Sequence, residues 1–208
     1  MTIQFKNFLG KPRSVTTPTG IFRFPALQEA RKNPFKEDQM EYQCNIALTP
    51  DEAAPLLQEL DVLFQENLAN VAQDNKNLKS IKASNKPYGE EKDKEGVPTG
   101  FIVFRTKALA GGISKKTNKP WEFRVKLFNA DLSPFTEAVP IGGGTKGKLQ
   151  FDVTGYYVKG EAGIKLNLRG AQILKFVPAG KSKGEDFGFK SEDMPSDDVQ
   201  AYDSGVSN

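Results

Sequence analysis

Histidine is absent from the chain and cysteine occurs once. Without histidine there is no Ser-His-Asp or Cys-His nucleophile pair and no histidine-containing zinc site. The single Cys44 excludes an intrachain disulfide and a cysteine-rich metal site, and it fits a reducing cytoplasm. No apolar run approaches the ~18 residues of a membrane span. The opening MTIQFKNFLGKPRS has no apolar stretch of the kind a signal peptide carries. No motif supports carboxylate-bound magnesium, so neither metal nor cofactor is expected. Phenylalanine, by contrast, is plentiful at 15 of 208 residues, which favours a β-rich core.

The overall charge of +3 hides an asymmetry. Residues 184–208 hold seven acids (Glu185, Asp186, Glu192, Asp193, Asp197, Asp198, Asp203) against one base, Lys190, a net of −6. The other 183 residues therefore carry +9. A basic body joined to an acidic, Gly/Ser-rich end suits a polyanion-binding domain with a solvated tail. A charged surface with a frayed terminus would give the same numbers.

Strands are expected at 19–27, at 41–48, where Tyr42, Cys44, Ile46 and Leu48 share one face, and at 100–111. That parity makes Cys44 a core residue. One helix follows the second strand. Thr49 is its N-cap, Pro50 its first residue, and Glu52 completes a Thr-x-x-Glu capping box. Ala53, Leu56, Leu57, Leu60, Leu63, Phe64, Leu68 and Val71 recur at spacings of three and four, the pattern of a barrel plug. Pro55 removes one ladder bond and marks either the true start of the helix or a kink. Residues 74–99 are polar and turn-rich and read as a long mobile loop.

Alternation returns at 121–129, with Trp121, Phe123, Val125 and Leu127 inward and Arg124, Lys126 and Phe128 outward. In 148–158, Leu149, Phe151, Val153 and Tyr157 face one way and Lys148, Gln150 and Tyr156 the other. In 163–177, Ile164, Leu166, Leu168, Leu174 and Phe176 face inward, with Lys165, Asn167, Arg169 and Lys175 opposite. Five or six strands with one helix make a mainly β fold, an OB-like five-stranded barrel with a disordered acidic C-terminal tail. The expected division is a barrel domain at 1–178 and a flexible tail at 179–208.

Gly142, four residues, then Gly147-Lys148 has the frame of a P-loop, G-x-x-x-x-G-K-[ST], but the metal-holding hydroxyl is replaced by Leu149. Pro134 and Pro140 interrupt the upstream segment, and the downstream segment has strand rather than helix periodicity. A glycine turn delivering Lys146 and Lys148 to a sheet edge accounts for the pattern. Two competing readings remain: a degenerate nucleotide-binding enzyme using Lys148, and a binder of RNA. Basic residues interleaved with aromatics on sheet faces suit single-stranded nucleic acid, because cations track phosphates and rings stack on bases. In that reading no catalysis is involved.

The segments FKNFLG (5–10), FRTK (104–107), SKKTNKPWEFRVKLFNAD (114–131), VPIGGGTKGKLQF (139–151), GYYV and AGIKLNLRGAQILKF (162–176) resemble the replicative single-stranded DNA-binding proteins of short-tailed phages of the coliphage T-seven group. The resemblance implies an OB-fold core, sequence-tolerant binding and annealing of single-stranded DNA, and roles in phage DNA replication, recombination and repair within the host cytoplasm. It also implies homodimerisation, and an acidic tail that contacts DNA polymerase and helicase-primase. The family's DNA-contacting tyrosine falls on Tyr156 and its lysine before the Lys-rich connection near Lys107. The expected single-stranded DNA contacts are Arg105, Lys107, Arg124, Lys126, Phe128, Lys146, Lys148, Tyr156, Lys165 and Arg169. The expected partner contacts in the tail are Asp186, Phe187, Phe189, Asp193, Asp197, Asp198 and Tyr202. The chain departs from the family at Thr2 and Glu41, near which the family has basic residues. Its tail ends in Val206-Ser207-Asn208, where the family ends in an aromatic.

Overall fold

A strand with one apolar face must bury that face against a second layer or against its own sheet closed into a barrel. In the computed structural model, which describes residues 7–75, 81–114 and 116–180, the second solution is taken. Expectations that fall on the tail, 181–208, lie outside the described residues, as does Thr2.

In chain order the elements are β1 (Arg13–Thr16), β2 (Gly20–Asn33), β3 (Lys36–Leu48), α1 (Pro50–Asp74), β4 (Lys82–Ala83), β5 (Tyr88–Lys92), β6 (Pro98–Leu109), β7 (Gly111–Ile113), β8 (Pro120–Glu122), β9 (Lys126–Phe128), β10 (Lys146–Val158) and β11 (Glu161–Lys175). Five of them close in the order β2-β3-β6-β11-β10 and back to β2. The β6–β11 pair is parallel and the other barrel pairs are antiparallel. This is the closed five-stranded OB-type barrel, with β1 added outside β10. Inside it lie Phe22, Ile46, Leu48, Phe104, Leu149, Phe151, Val153, Ile164, Leu166 and Leu168, all essentially inaccessible. Cys44 joins them, and burial pushes its thiol well above the ordinary range.

Closure depends on two glycines. The β10–β2 pairing is short, matching Lys146 with Ile21 and Gly147 with Gly20. A Cβ on Gly147 would sit 2.7 Å from Cζ of Phe22 and against the Gln172 carbonyl, and one on Gly20 would sit 2.6 Å from Cγ1 of Ile46. The Gly-Lys frame is thus a barrel seam. The turn before it ties back to the segment that follows β11, with the Gly142 N–H donating to the Val177 carbonyl (2.7 Å). A strand, not a helix, follows it.

Helix α1 runs unbroken through Pro55 from the capping box, where Glu52 N–H donates to Thr49 Oγ1 and Thr49 N–H to Glu52 Oε2. Pro55 therefore marks neither its start nor its end. Leu56, Leu60, Leu63, Phe64 and Val71 are buried on its inner side. Asn67, in the same stripe, donates to the Gly163 carbonyl (2.9 Å) and ties the helix to the β10–β11 hairpin.

Three expectations need correction. Residues 74–99 are not one long loop: 82–83 and 88–92 are strands, and β5 pairs with β6 across a turn in which Asp93 Oδ1 accepts from the N–H groups of Glu95 and Val97. Only Tyr88 of β5 is buried, so the strand carries no alternation to read. The 121–129 segment is two short strands, β8 and β9, separated by 123–125. Trp121 is 39% exposed rather than inward. In β11, Ile173 is buried and Leu174 exposed, the reverse of the simple parity. The register shifts at Arg169, where Gln150 faces Gly170 but Phe151 faces Leu168, and one extra residue inverts the faces from there to a second shift at Leu174, where Gly147 faces Ile173 but Lys146 faces Lys175.

Gly147→Val is expected to destabilise the protein by at least the ~1–3 kcal/mol of an overpacked core. Urea unfolding measures this, and an unchanged midpoint would contradict the seam.

Candidate nucleic-acid interface

Outward parity on the five barrel strands puts polar side chains in rows. One row runs Arg23, Asn45 and Arg105 across β2, β3 and β6. The next runs Gln43, Lys107, Asn167 and Asp152 across β3, β6, β11 and β10, and Thr154 faces Lys165 beside it. Apart from Arg23, which pairs with Glu91, these side chains floor a groove of about 830 Å³ that takes in Arg105, Lys107, Lys165 and Arg169.

Four of the ten expected contact residues therefore share one concavity. The other six do not line it. Farther along the same outer face, Lys126 sits beside Gly170 and Gln150, and Phe128, Gln172 and Lys148 form a row, with Lys146 at the strand end. Arg124 is exposed in the irregular stretch between β8 and β9. Tyr156 lies at the opposite end, one row beyond Lys165. It is half-buried over Gly163, where a Cβ would meet its hydroxyl at 2.9 Å, and it shares a hydrogen bond with Ser84 Oγ (3.0 Å). From Tyr156 to Lys148 is eight residues of strand, roughly 26 Å at ~3.3 Å per residue.

Two of the groove's cations, Lys107 and Arg169, are paired with carboxylates that sequence reading did not recognise as part of the site. Glu41, only 2% exposed, accepts from Asn33 Nδ2 (2.8 Å) and pairs with Arg31 (3.4 Å) and Lys107 (3.8 Å). Asp152 accepts from Arg169 Nε (2.6 Å) and from Ser14 Oγ (2.5 Å). The Arg169 bond uses one of the five donors a guanidinium offers. The Arg169 guanidinium also rests 5.8 Å from the Phe123 ring centre. Arg169 keeps the outward parity of Lys165 and Asn167, and the register shift beside it falls only after it in the strand. Lys165 has no carboxylate partner among the described ion pairs. Its ammonium is held below the usual lysine range, first by desolvation within the groove and then by the charge of Lys107. Lys165 is thus a partly desolvated cation beside a like charge, a setting that favours a nearby anion.

Two aromatic residues also line the groove and were missed. Phe35 is at the tip of the β2–β3 hairpin, 90% exposed, and Trp121 is in β8. Asn33-Pro34 between two strands is a turn signal that places Phe35 at a tip. Nothing in the alternation could have turned Trp121 outward.

No protein-family profile matches the chain, and no curated protein matches it in sequence at a significant level. Solved structures do match in fold. The crystal structure of gp2.5, a single-stranded DNA-binding protein encoded by bacteriophage T7, superposes with a TM-score of 0.67 at 16% identity, over 89% of this chain and 98% of that one. The single-stranded DNA-binding protein of bacteriophage Enc34, solved in complex with single-stranded DNA, gives 0.53 at 15% identity, over 80% and 89%. A C-terminally truncated form of the Enc34 protein gives 0.52 at 14% identity, over 78% and 85%. At these identities the likeness is one of fold, and it agrees with the resemblance read from the residues.

Glu41→Ala leaves Asn33 Nδ2 unpaired and two cations unbalanced, and is expected to cost about 1–3 kcal/mol of stability. A urea midpoint equal to that of the parent would show that the carboxylate does not organise this end of the groove.

Proposed function

We propose that the protein binds single-stranded DNA, without sequence preference and without catalysis, along the outer face of the barrel. The observation that carries this is the convergence of Arg105, Lys107, Lys165 and Arg169 in one groove, on a fold like that of phage proteins of the same function. The backbone phosphates lie on these cations. Lys126, Lys146, Lys148 and Arg124 extend the track, and Phe128 and Tyr156 offer ring faces to bases toward its two ends.

The same reading includes service in phage DNA replication, recombination and repair, through strand protection and annealing by a homodimer. The acidic tail, through Asp186, Phe187, Phe189, Asp193, Asp197, Asp198 and Tyr202, competes with DNA for the groove and meets the polymerase and helicase-primase when released. The groove's net positive potential and the tail's net charge of −6 support this competition.

The first test is a salt titration of oligo-dT binding. Log affinity is expected to fall linearly with log salt at about −0.7 per phosphate neutralised. The four groove cations alone thus give a slope of about −3, and the outlying lysines steepen it. A chain ending at Pro178 is expected to bind more tightly. Equal affinity for single strands and duplex in the intact protein would sink the reading, and weaker binding by the shortened chain would sink the competition.

The second test is pH. Phosphate binding favours the protonated form of Lys165, whose proton is lost at lower pH than that of an ordinary lysine, near 10.5. Oligo-dT affinity should therefore decline as pH rises through that lowered range. In Lys165→Arg the charge persists, and that decline should disappear. Identical pH profiles for the two proteins at fixed ionic strength would remove Lys165 from the contact set.

A further inference from the structure

We propose that Phe35 and Trp121 form a subsite for an unpaired nucleobase in the groove, and that this subsite separates single-stranded from duplex DNA. The proposal rests on the DNA-binding reading above and deepens it. Along the outward side of β6 the groove changes character. Arg105 opposite Asn45 is followed by Lys107 opposite Gln43, then by Leu109 opposite Glu41. Leu109 shares the groove with Phe35, Trp121 and Phe123, and with Lys36 and Gln39 of the hairpin that carries Phe35. The groove therefore offers phosphate-binding cations along β6 and β11 and, in addition, ring surface at Phe35 and Trp121.

The two rings are presented rather than packed. Phe35 stands on a turn closed by its own N–H donating to Asn33 Oδ1 (2.8 Å), and Asn33 is itself held by the buried Glu41. The hairpin tip is thus anchored to the groove floor while the ring is left 90% exposed. Trp121 lies against Gly112, where a Cβ would come within 3.4 Å of the indole, so the hairpin of β7 and β8 carries the ring on bare backbone. Phe123 already has the Arg169 guanidinium near its ring, whereas neither Phe35 nor Trp121 makes a ring or cation contact among the described residues. A solvent-facing phenylalanine and tryptophan in a cationic groove match the flat, apolar face of a base.

Duplex DNA cannot use this subsite, because its base faces are covered by their stacked neighbours. It reaches the cations alone. A single strand engages both cations and rings, and the difference in affinity is the contribution of the rings.

Trp121 is the sole tryptophan, so its emission reports the subsite directly. The experiment uses the full-length protein with oligo-dT, an abasic oligomer of equal length and a duplex of equal length. Oligo-dT should quench Trp121, while the abasic oligomer and the duplex bind without quenching. Phe35→Ala and Trp121→Ala should each weaken oligo-dT binding roughly 10- to 100-fold. Both should leave the abasic and duplex affinities and the salt slope unchanged, and Trp121→Phe should retain most of the oligo-dT affinity. Variants that bind oligo-dT like the parent, or that lose duplex binding equally, would overturn the subsite and leave the DNA-binding reading standing. An intact protein that binds no oligo-dT at all would overturn both.

Discussion

Everything on the outer face depends on how β10 closes against β2. The pairing is two residues long, and it is possible only because Gly147 and Gly20 leave room for the Phe22 ring and for the backbones that pass there. Once closed, β10 carries β11 with it. The parallel contact of β11 with β6 then brings Asn167 beside Lys107, residues sixty positions apart in the chain. Without that contact, Arg105 and Lys107 of β6 and Lys165 and Arg169 of β11 are merely exposed residues on separate ribbons. With it, they line a single groove.

That groove is electrostatically strained. Desolvation within the groove depresses the proton affinity of Lys165, and the charge of Lys107 adds to the effect. Glu41 and Asp152 moderate the strain without abolishing it. Each is nearly buried, each takes a neutral donor as well as a cation, and so each is fixed in place rather than swinging with solvent. Buried carboxylates of this kind orient the cations while most of each cation's hydrogen-bonding capacity remains for a ligand. An anion-binding surface needs both properties, since unpositioned lysines lose side-chain entropy on binding and fully paired ones have nothing to offer.

The legible parts of the chain were those where local pattern and burial agree. Tyr42, Cys44, Ile46 and Leu48 alternate because β3 buries one face along its length, and the Thr49–Glu52 box announces α1 because capping is a contact within four residues. The strand β5 was hidden because it buries only Tyr88, and an edge strand solvated on most of its surface has no reason to alternate. The inverted end of β11 was hidden for a different reason. A bulge at Arg169 satisfies the sheet's twist at closure, and no residue type announces it.

The amino-acid order alone settled the absence of histidine chemistry, the inward faces of β3 and of β11 up to its bulge, the turn at Gly142–Gly144 and the basic character of the barrel against an acidic end, because these depend on composition and near neighbours. Which outward residues meet was a matter of strand order and register. Parity gave Lys148 and Tyr156 one face, yet eight residues of extended strand separate them, and the groove between is filled by β6 and β11. Parity likewise turned Trp121 inward, whereas β8 pairs with β7 in a separate hairpin and leaves Trp121 in the lining of the groove. Side-chain period records the two sides of a strand; only the closed sheet determines which strands lie next to one another.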